Sequence, residues 1–334
     1  MSEHRPDERP TGASPIQKAK SLYERYFGNK TLVLDPTVLV LATYLLLLLS
    51  KVVDLTLINR ENEYYSVVIL QMMIFLLPGA IWCRFSGDGY LSGLRLRLFR
   101  ASSLPLILSA SLLMASGGLL LGVLFGGTEV LSESFSLYDT FISKNNGTVP
   151  NTIYLVLAYA LLPALCEEFI FRGILCREYE SGGAIRAVVF STLFFSLLHF
   201  DLENLPVYLF SGAILALTLY ATRSLLGAML AHFLYNLFGL FGQPFVNNLY
   251  RITRSTELFL FLMILCFLVS AGIFCGEAAR MYKKYLQKGY TSAYRKPILT
   301  DRAAIRDSYL SILKKPSAIA CFAVYVLALF VAFF

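Results

Sequence analysis

Charge is what this sequence has least of. Of its 334 residues, 29 are Lys or Arg and 22 are Asp or Glu, 15% in all, against a hydrophobic share of 57%. Mean hydropathy is +0.63. A soluble globular domain carries about 25% charged and about 45–50% apolar residues, so that class is excluded and a polytopic membrane protein is expected. Histidine is scarcer still, with His4, His199 and His232 the only three in the chain. The cysteines (Cys83, Cys166, Cys176, Cys266, Cys275 and Cys321) lie in or at the ends of apolar runs, with no paired short spacing. Disulfide frameworks and zinc knuckles need such spacing, so these residues read as small buried hydrophobes. Residues 1–13 are polar, with neither an apolar core region nor a small-residue cleavage site, so no secretory signal peptide is expected there. The net charge of +7 would suit nucleic acid in a soluble protein. Here the basic residues fall at the ends of apolar runs, as in cytoplasmic loops of membrane proteins. The expected partner is therefore a lipid bilayer and not nucleic acid.

The apolar runs that are present lie near 32–50, 64–83, 103–126, 152–176, 185–200, 205–222, 224–241, 257–276 and 317–334. Read against the roughly 20 residues that cross hydrocarbon, they predict an all-α, polytopic transmembrane helix bundle of about 8–9 spans. The fifth run is short, which suits a helix surrounded by protein. Residues 1–30 form a leader in which Ser14-Pro15 opens a short helix with basic residues around an apolar face, as at an anionic membrane surface. Residues 31–334 are expected to be one membrane domain. Segment 277–315 has ten Lys or Arg against three Asp or Glu, whereas 127–151 holds Glu129, Glu133 and Asp139 against Lys144 alone. By the positive-inside rule, the N-terminus and the basic 277–315 loop are then cytoplasmic, in the plasma membrane of a cell. Asn146-Gly147-Thr148 is a glycosylation sequon on the outer side.

One run departs from this pattern. Glu167, Glu168 and Arg172 stand within six residues, flanked from Ile153 to Cys166 and from Gly173 to Cys176 by no other Asp, Glu, Lys, Arg or His. Each charge at a bilayer centre costs about 2.5–3.5 kcal/mol on insertion scales, so three together imply a purpose. Glu168 and Arg172 are four apart, share a helix face and can neutralise each other. Glu167 is rotated from Glu168 by about 100° and is left for other work, such as a general base. The Ser181-Gly182-Gly183 turn folds the fourth and fifth runs into an antiparallel hairpin. Glu167 lies about 15 residues before it and His199 about 17 after, which puts both roughly 23–25 Å along their helices. In the seventh run His232 and Asn236 are four apart, on one face, at a shallower depth that helix tilt must make up.

Among these groups a Glu and a His together can hold and deprotonate a water, while a His and an Asn can donate hydrogen bonds to the oxyanion of a tetrahedral intermediate. The same residue types could instead bind zinc through Glu167, His199 and His232, with water in the open position. Spacing leaves both routes open. Two other functional classes also stay open: a non-catalytic immunity factor or scaffold whose polar cluster locks helices, and an ion-coupled transporter, since intramembrane Glu and His also serve relays.

The motifs Glu167-Glu168-Phe169-Ile170-Phe171-Arg172, Phe195-Ser196-Leu197-Leu198-His199 and His232-Phe233-Leu234-Tyr235-Asn236 resemble the ordered triple of the CPBP intramembrane proteases. That family includes type II CAAX prenyl endopeptidases and lysostaphin-resistance-protein-like membrane proteins. The resemblance covers residues 152–241. It implies an intramembrane endopeptidase acting on a membrane-associated or prenylated protein or peptide, with a polar catalytic cavity inside the bundle. Glu167 and His199 would activate water, His232 and Asn236 would form the oxyanion hole, and Glu168 and Arg172 would shape the site. No cofactor is required on the glutamate-protease reading; zinc is the alternative.

Overall fold

Prolines punctuate the helices. The computed structural model describes residues 35–52, 68–87, 89–127, 152–288 and 302–332. The chain divides after Asp35, and apart from Asp35 itself the described residues all belong to the unit from Pro36 onward. Among them every regular element is helical. In order these are α1 (Pro36–Val52), α2 (Val68–Phe85), α3 (Leu104–Gly126), α4 (Thr152–Gly182) and α5 (Ala184–Leu197). There follow α6 (Leu205–Thr222), α7 (Leu225–Phe241), α8 (Gln243–Thr253), α9 (Thr256–Gln287), α10 (Arg302–Leu313) and α11 (Pro316–Ala332). A Leu-Pro step opens α3 and α6, where the missing proline N–H is one the first turn would leave unpaired anyway.

Inside α2 and α4 the same step has another effect. Met72–Leu76 and Val156–Leu161 are wide π turns, each followed directly by Leu-Pro, Leu77-Pro78 and Leu162-Pro163. A mid-helix proline cannot bond the carbonyl four residues back, and its ring collides with it. Widening relieves this: the Leu77 and Leu162 N–H groups reach five residues back, to the carbonyls of Met72 and Leu157. A third wide stretch, Phe169–Leu175, has no proline and carries Arg172.

Among the described residues five helices are long and apolar enough to cross a membrane, and up to seven spans result if each of two bent pairs, α7–α8 and α10–α11, is one span. The helices α1 and α5 are apolar but shorter. The most apolar helix, α9, has a best window only 17% buried within the protein, its outer side carrying Phe261, Ile264, Leu265 and Leu268. Such a face belongs in lipid. By contrast α5 is largely enclosed, with Phe190, Ser191, Phe194, Phe195 and Ser196 all buried, as its short run implied.

Between helices the contacts are sparse hydrogen bonds among apolar packing, the pattern of membrane bundles. Tyr44 Oη of α1 donates to the Phe194 carbonyl of α5 at 2.5 Å, and Ser111 Oγ of α3 to the Ala231 carbonyl of α7 at 3.1 Å. The Glu180–Gly182 turn and Gly183, at φ 108°, join α4 to α5, so the expected hairpin is present. The loop after α2 holds that end: Arg95 pairs with Glu180 at 2.7 Å, and Tyr90 Oη donates to Glu178 at 2.5 Å.

One boundary needs correction. Residues 277–287 continue α9 and 302–313 form α10, so the basic 277–315 segment is helical at both ends. Arg280, Lys283 and Lys284 ride on α9 beyond its apolar stretch, and Arg302 and Arg306 on α10, which a hydropathy reading cannot separate from a loop. The leader helix within 1–30, the acidic 127–151 loop beyond Gly127 and the Asn146 sequon lie outside the described residues.

Candidate active site

Arg172 is the largest fully buried side chain in the described protein. From one turn along α4 its Nη1 donates to Glu168 Oε1 at 2.8 Å, the i,i+4 pair that the spacing anticipated. Two more partners come from other helices. Its Nη2 donates to the Gly212 carbonyl of α6 at 3.0 Å, and its guanidinium lies 4.1 Å from the centroid of the Phe195 ring of α5. A buried cation holds its place only when paired and hydrogen-bonded, and here the acid, a carbonyl and an aromatic face share that task. Gly212 permits the approach: a Cβ on it would stand 3.0 Å from Phe195 Cδ1 and 3.5 Å from Arg172 Nη2. Gly212→Ala is therefore expected to cost about 1–3 kcal/mol through overpacking, read by thermal unfolding in detergent; a neutral result would show that α6 is free to shift.

Glu168 Oε1 accepts a second contact, from His232 Nδ1 of α7 at 3.0 Å. The tilt required of the seventh run is thus made, but His232 arrives at Glu168. Arg172, Glu168 and His232 form a chain across α4 and α7, with exposures of 1%, 0% and 5%. An ionised carboxylate can only accept, so Nδ1 carries the proton and Nε2 is the outward nitrogen. Asn236, one turn further, donates from Nδ2 to the Ala160 carbonyl at 3.4 Å. Ala160 lies in the first wide turn of α4, where carbonyls are displaced from regular pairing.

Glu167 and His199 meet elsewhere. Both line a cavity of about 320 Å³ bounded by α1, α2, α4 and the turn after α5, together with Gln71, Ser50 and five apolar side chains. His199 Nδ1 lies 3.0 Å from the Phe195 carbonyl; a carbonyl can only accept, so Nδ1 is protonated and the neutral ring has its lone pair on Nε2. The imidazole is stacked on Tyr208 of α6, centroids 3.8 Å apart at 14°. Tyr208 Oη in turn reaches Asp201, 3.4 Å away. Phe195 links the two groups, its centroid 5.1 Å from that of His199 and 5.9 Å from that of His232.

The four residues expected around one water therefore fall into two sets. Glu167 and His199 share the cavity, whereas His232 and Asn236 are not among its lining residues. Glu167 is next in the chain to Glu168, which His232 contacts, so the sets adjoin. Among the described residues no three His, Cys, Asp or Glu side chains are placed to hold a metal ion. Of the expected zinc set, Glu167 and His199 line the cavity and His232 does not; the Glu168 contact at His232 Nδ1 leaves Nε2 as the nitrogen open to a ligand.

Sequence reasoning missed Gly212, Tyr208 and Gln71, and gave Phe195 no role. A glutamine inside the apolar second run was the available signal for Gln71. Nothing in the sequence announces that Tyr208 stacks on His199. Tyr208→Leu is expected to slow the reaction about 2- to 10-fold, the loss of an aromatic pair, while Tyr208→Phe stays near wild type. An initial-rate assay separates them; equal rates would deny the stack a part in orienting His199.

Helices of membrane-crossing length around a buried charged cluster define an integral membrane protein with an internal polar site. Residues 149–238 match the family profile described as Type II CAAX prenyl endopeptidase Rce1-like, which bears out the resemblance seen in the three motifs. The match takes in Glu167, Glu168, Arg172, His199, His232 and Asn236, about a quarter of the chain. No curated protein and no solved structure matches.

Proposed function

We propose that this protein is an intramembrane endopeptidase of CAAX type that hydrolyses a peptide bond by water activation at Glu167 and His199, without a metal. The observation that carries the reading is the shared cavity: a carboxylate and an imidazole, from α4 and the turn after α5, line one space inside a membrane protein. The matched family is one of endopeptidases, which fits a hydrolytic use of that pair. In this reading water is held between Glu167 and the Nε2 lone pair of His199. The carboxylate takes one proton as the oxygen attacks the carbonyl carbon. That proton then passes to the amide nitrogen, the C–N bond breaks, and a carboxylic acid and an amine leave.

His232 and Asn236 would stabilise the oxyanion. For His232 this requires both ring protons, since Nδ1–H is engaged by Glu168 and only an Nε2–H can donate outward. In the chain Arg172–Glu168–His232 the carboxylate is shared between a guanidinium and an imidazole, which orients the outward nitrogen of His232 toward a developing negative charge. In the same reading the bent pairs and the shorter α1 and α5 complete a bundle of nine membrane passages. The N-terminus is cytoplasmic, the membrane is the plasma membrane, and the substrate is a membrane-associated or prenylated chain. The test compares membrane peptidomes of cells expressing wild type and Glu167→Gln. Peptides that gain a new terminus only with the wild type support the reading; identical peptidomes at equal expression would overturn it.

A further inference from the structure

A peptide drawn into an apolar cavity brings main-chain N–H groups with it, and each needs an acceptor. Left unmet in a low-dielectric site, such a donor carries an uncompensated desolvation cost, and no bulk water makes up the loss. The cavity beside Glu167 is walled mostly by apolar side chains, and its other polar residues are Ser50, Gln71 and His199. Glu167 and His199 are assigned to the water. Ser50 turns its hydroxyl proton to the Leu47 carbonyl at 2.7 Å.

Gln71 stands differently. It lies on α2, one residue before the wide turn at Met72. Its Nε2 donates to the Ala158 carbonyl of α4 at 3.1 Å, which fixes the amide and leaves Oε1 as its free acceptor. That oxygen is buried and meets no donor among the described residues. A buried carbonyl-type acceptor without a partner is uncommon in folded proteins. Here it is held in place by its own amide nitrogen, in the wall that also carries Glu167 and His199.

We propose that Gln71 is a substrate-binding residue whose Oε1 accepts a hydrogen bond from one main-chain N–H of the bound peptide, next to the bond that is cut. The role rests on the proteolytic reading and extends it: α2 supplies the substrate's register, while α4 and α5 supply the chemistry. An extended peptide is the ligand class, because its donors recur along the backbone whatever the side chains.

The test is a cycle between enzyme and substrate. An internally quenched, farnesylated peptide ending in Cys-aliphatic-aliphatic-X is made in versions with one amide N–H at a time replaced by an ester oxygen around the cleaved bond. Wild type and Gln71→Met, which keeps side-chain length but loses the acceptor, are assayed on each in detergent or liposomes, with thermal unfolding as a folding control. At one position the ester should lower kcat/KM for wild type by about tenfold. At that position Gln71→Met, already slower on the parent peptide, should show no further loss. A purely structural role for Gln71 cannot produce this single-position coupling. Ester losses that are the same in both proteins, or no loss anywhere, would remove Gln71 from substrate binding while cleavage lost in Glu167→Gln left the protease reading standing. No cleavage of the parent peptide by wild type would instead overturn the CAAX-type reading, and the role of Gln71 with it.

Discussion

Glu167→Gln is expected to slow peptide cleavage by about 10²–10⁴-fold, the usual contribution of a positioned general base, while leaving the unfolding midpoint near that of wild type. The separation of these effects follows from the geometry. Glu167 is half-buried and lines the cavity, whereas the ion pairs of the acidic cluster, within α4 to Arg172 and across to His232, belong to Glu168. Removing the charge of Glu167 takes away a proton acceptor but breaks no salt bridge among the described residues. Cleavage assays on purified wild type and variant, beside thermal unfolding in the same detergent, check both halves. A rate within threefold of wild type would move the base elsewhere.

Glu168→Ala should behave in the opposite sense, destabilising first. It leaves Arg172, 1% exposed, with no carboxylate, and deprives His232 of its partner as well. Breaking a buried ion pair by removing one member costs about 3–5 kcal/mol, because a buried charge is left uncompensated. The double replacement Glu168→Leu with Arg172→Met should recover much of this loss, since an apolar pair of similar volume carries no charge to desolvate. Chemical or thermal unfolding of the three proteins decides the matter. A double variant no better than Glu168→Ala would mean that the Gly212 and Phe195 contacts of Arg172, and not charge compensation, set the stability of this region.

Much of this arrangement was legible in the sequence, for identifiable reasons. Spacing of four on a helix put Glu168 against Arg172, and the Gly182-Gly183 break put α4 beside α5, so depth along two helices could be compared by counting. Tilt and rotation could not be counted. His232 was placed at the right helices but not at Glu168, because which carboxylate it meets depends on how α7 is turned about its axis. The contacts of Arg172 with Gly212 and Phe195 were hidden for another reason. They depend on a close approach of the α6 backbone at Gly212, where a Cβ would stand 3.0 Å from Phe195 Cδ1, and an apolar run containing glycine has no unique reading. The wide turns were also unread, although Leu77-Pro78 and Leu162-Pro163 stand in plain view within otherwise unbroken apolar runs.

Those wide turns have a consequence for the site. Each holds one residue more than an ordinary turn would, so the part of α4 before Val156 and the part carrying Glu167 are out of phase by about 100°. Straightening the turn at Val156–Leu161 would swing the Glu167 side chain around the helix axis, away from the cavity wall, with no substitution at Glu167 itself. The aim of the acid is thus set by a proline four residues upstream as much as by its own position in the chain.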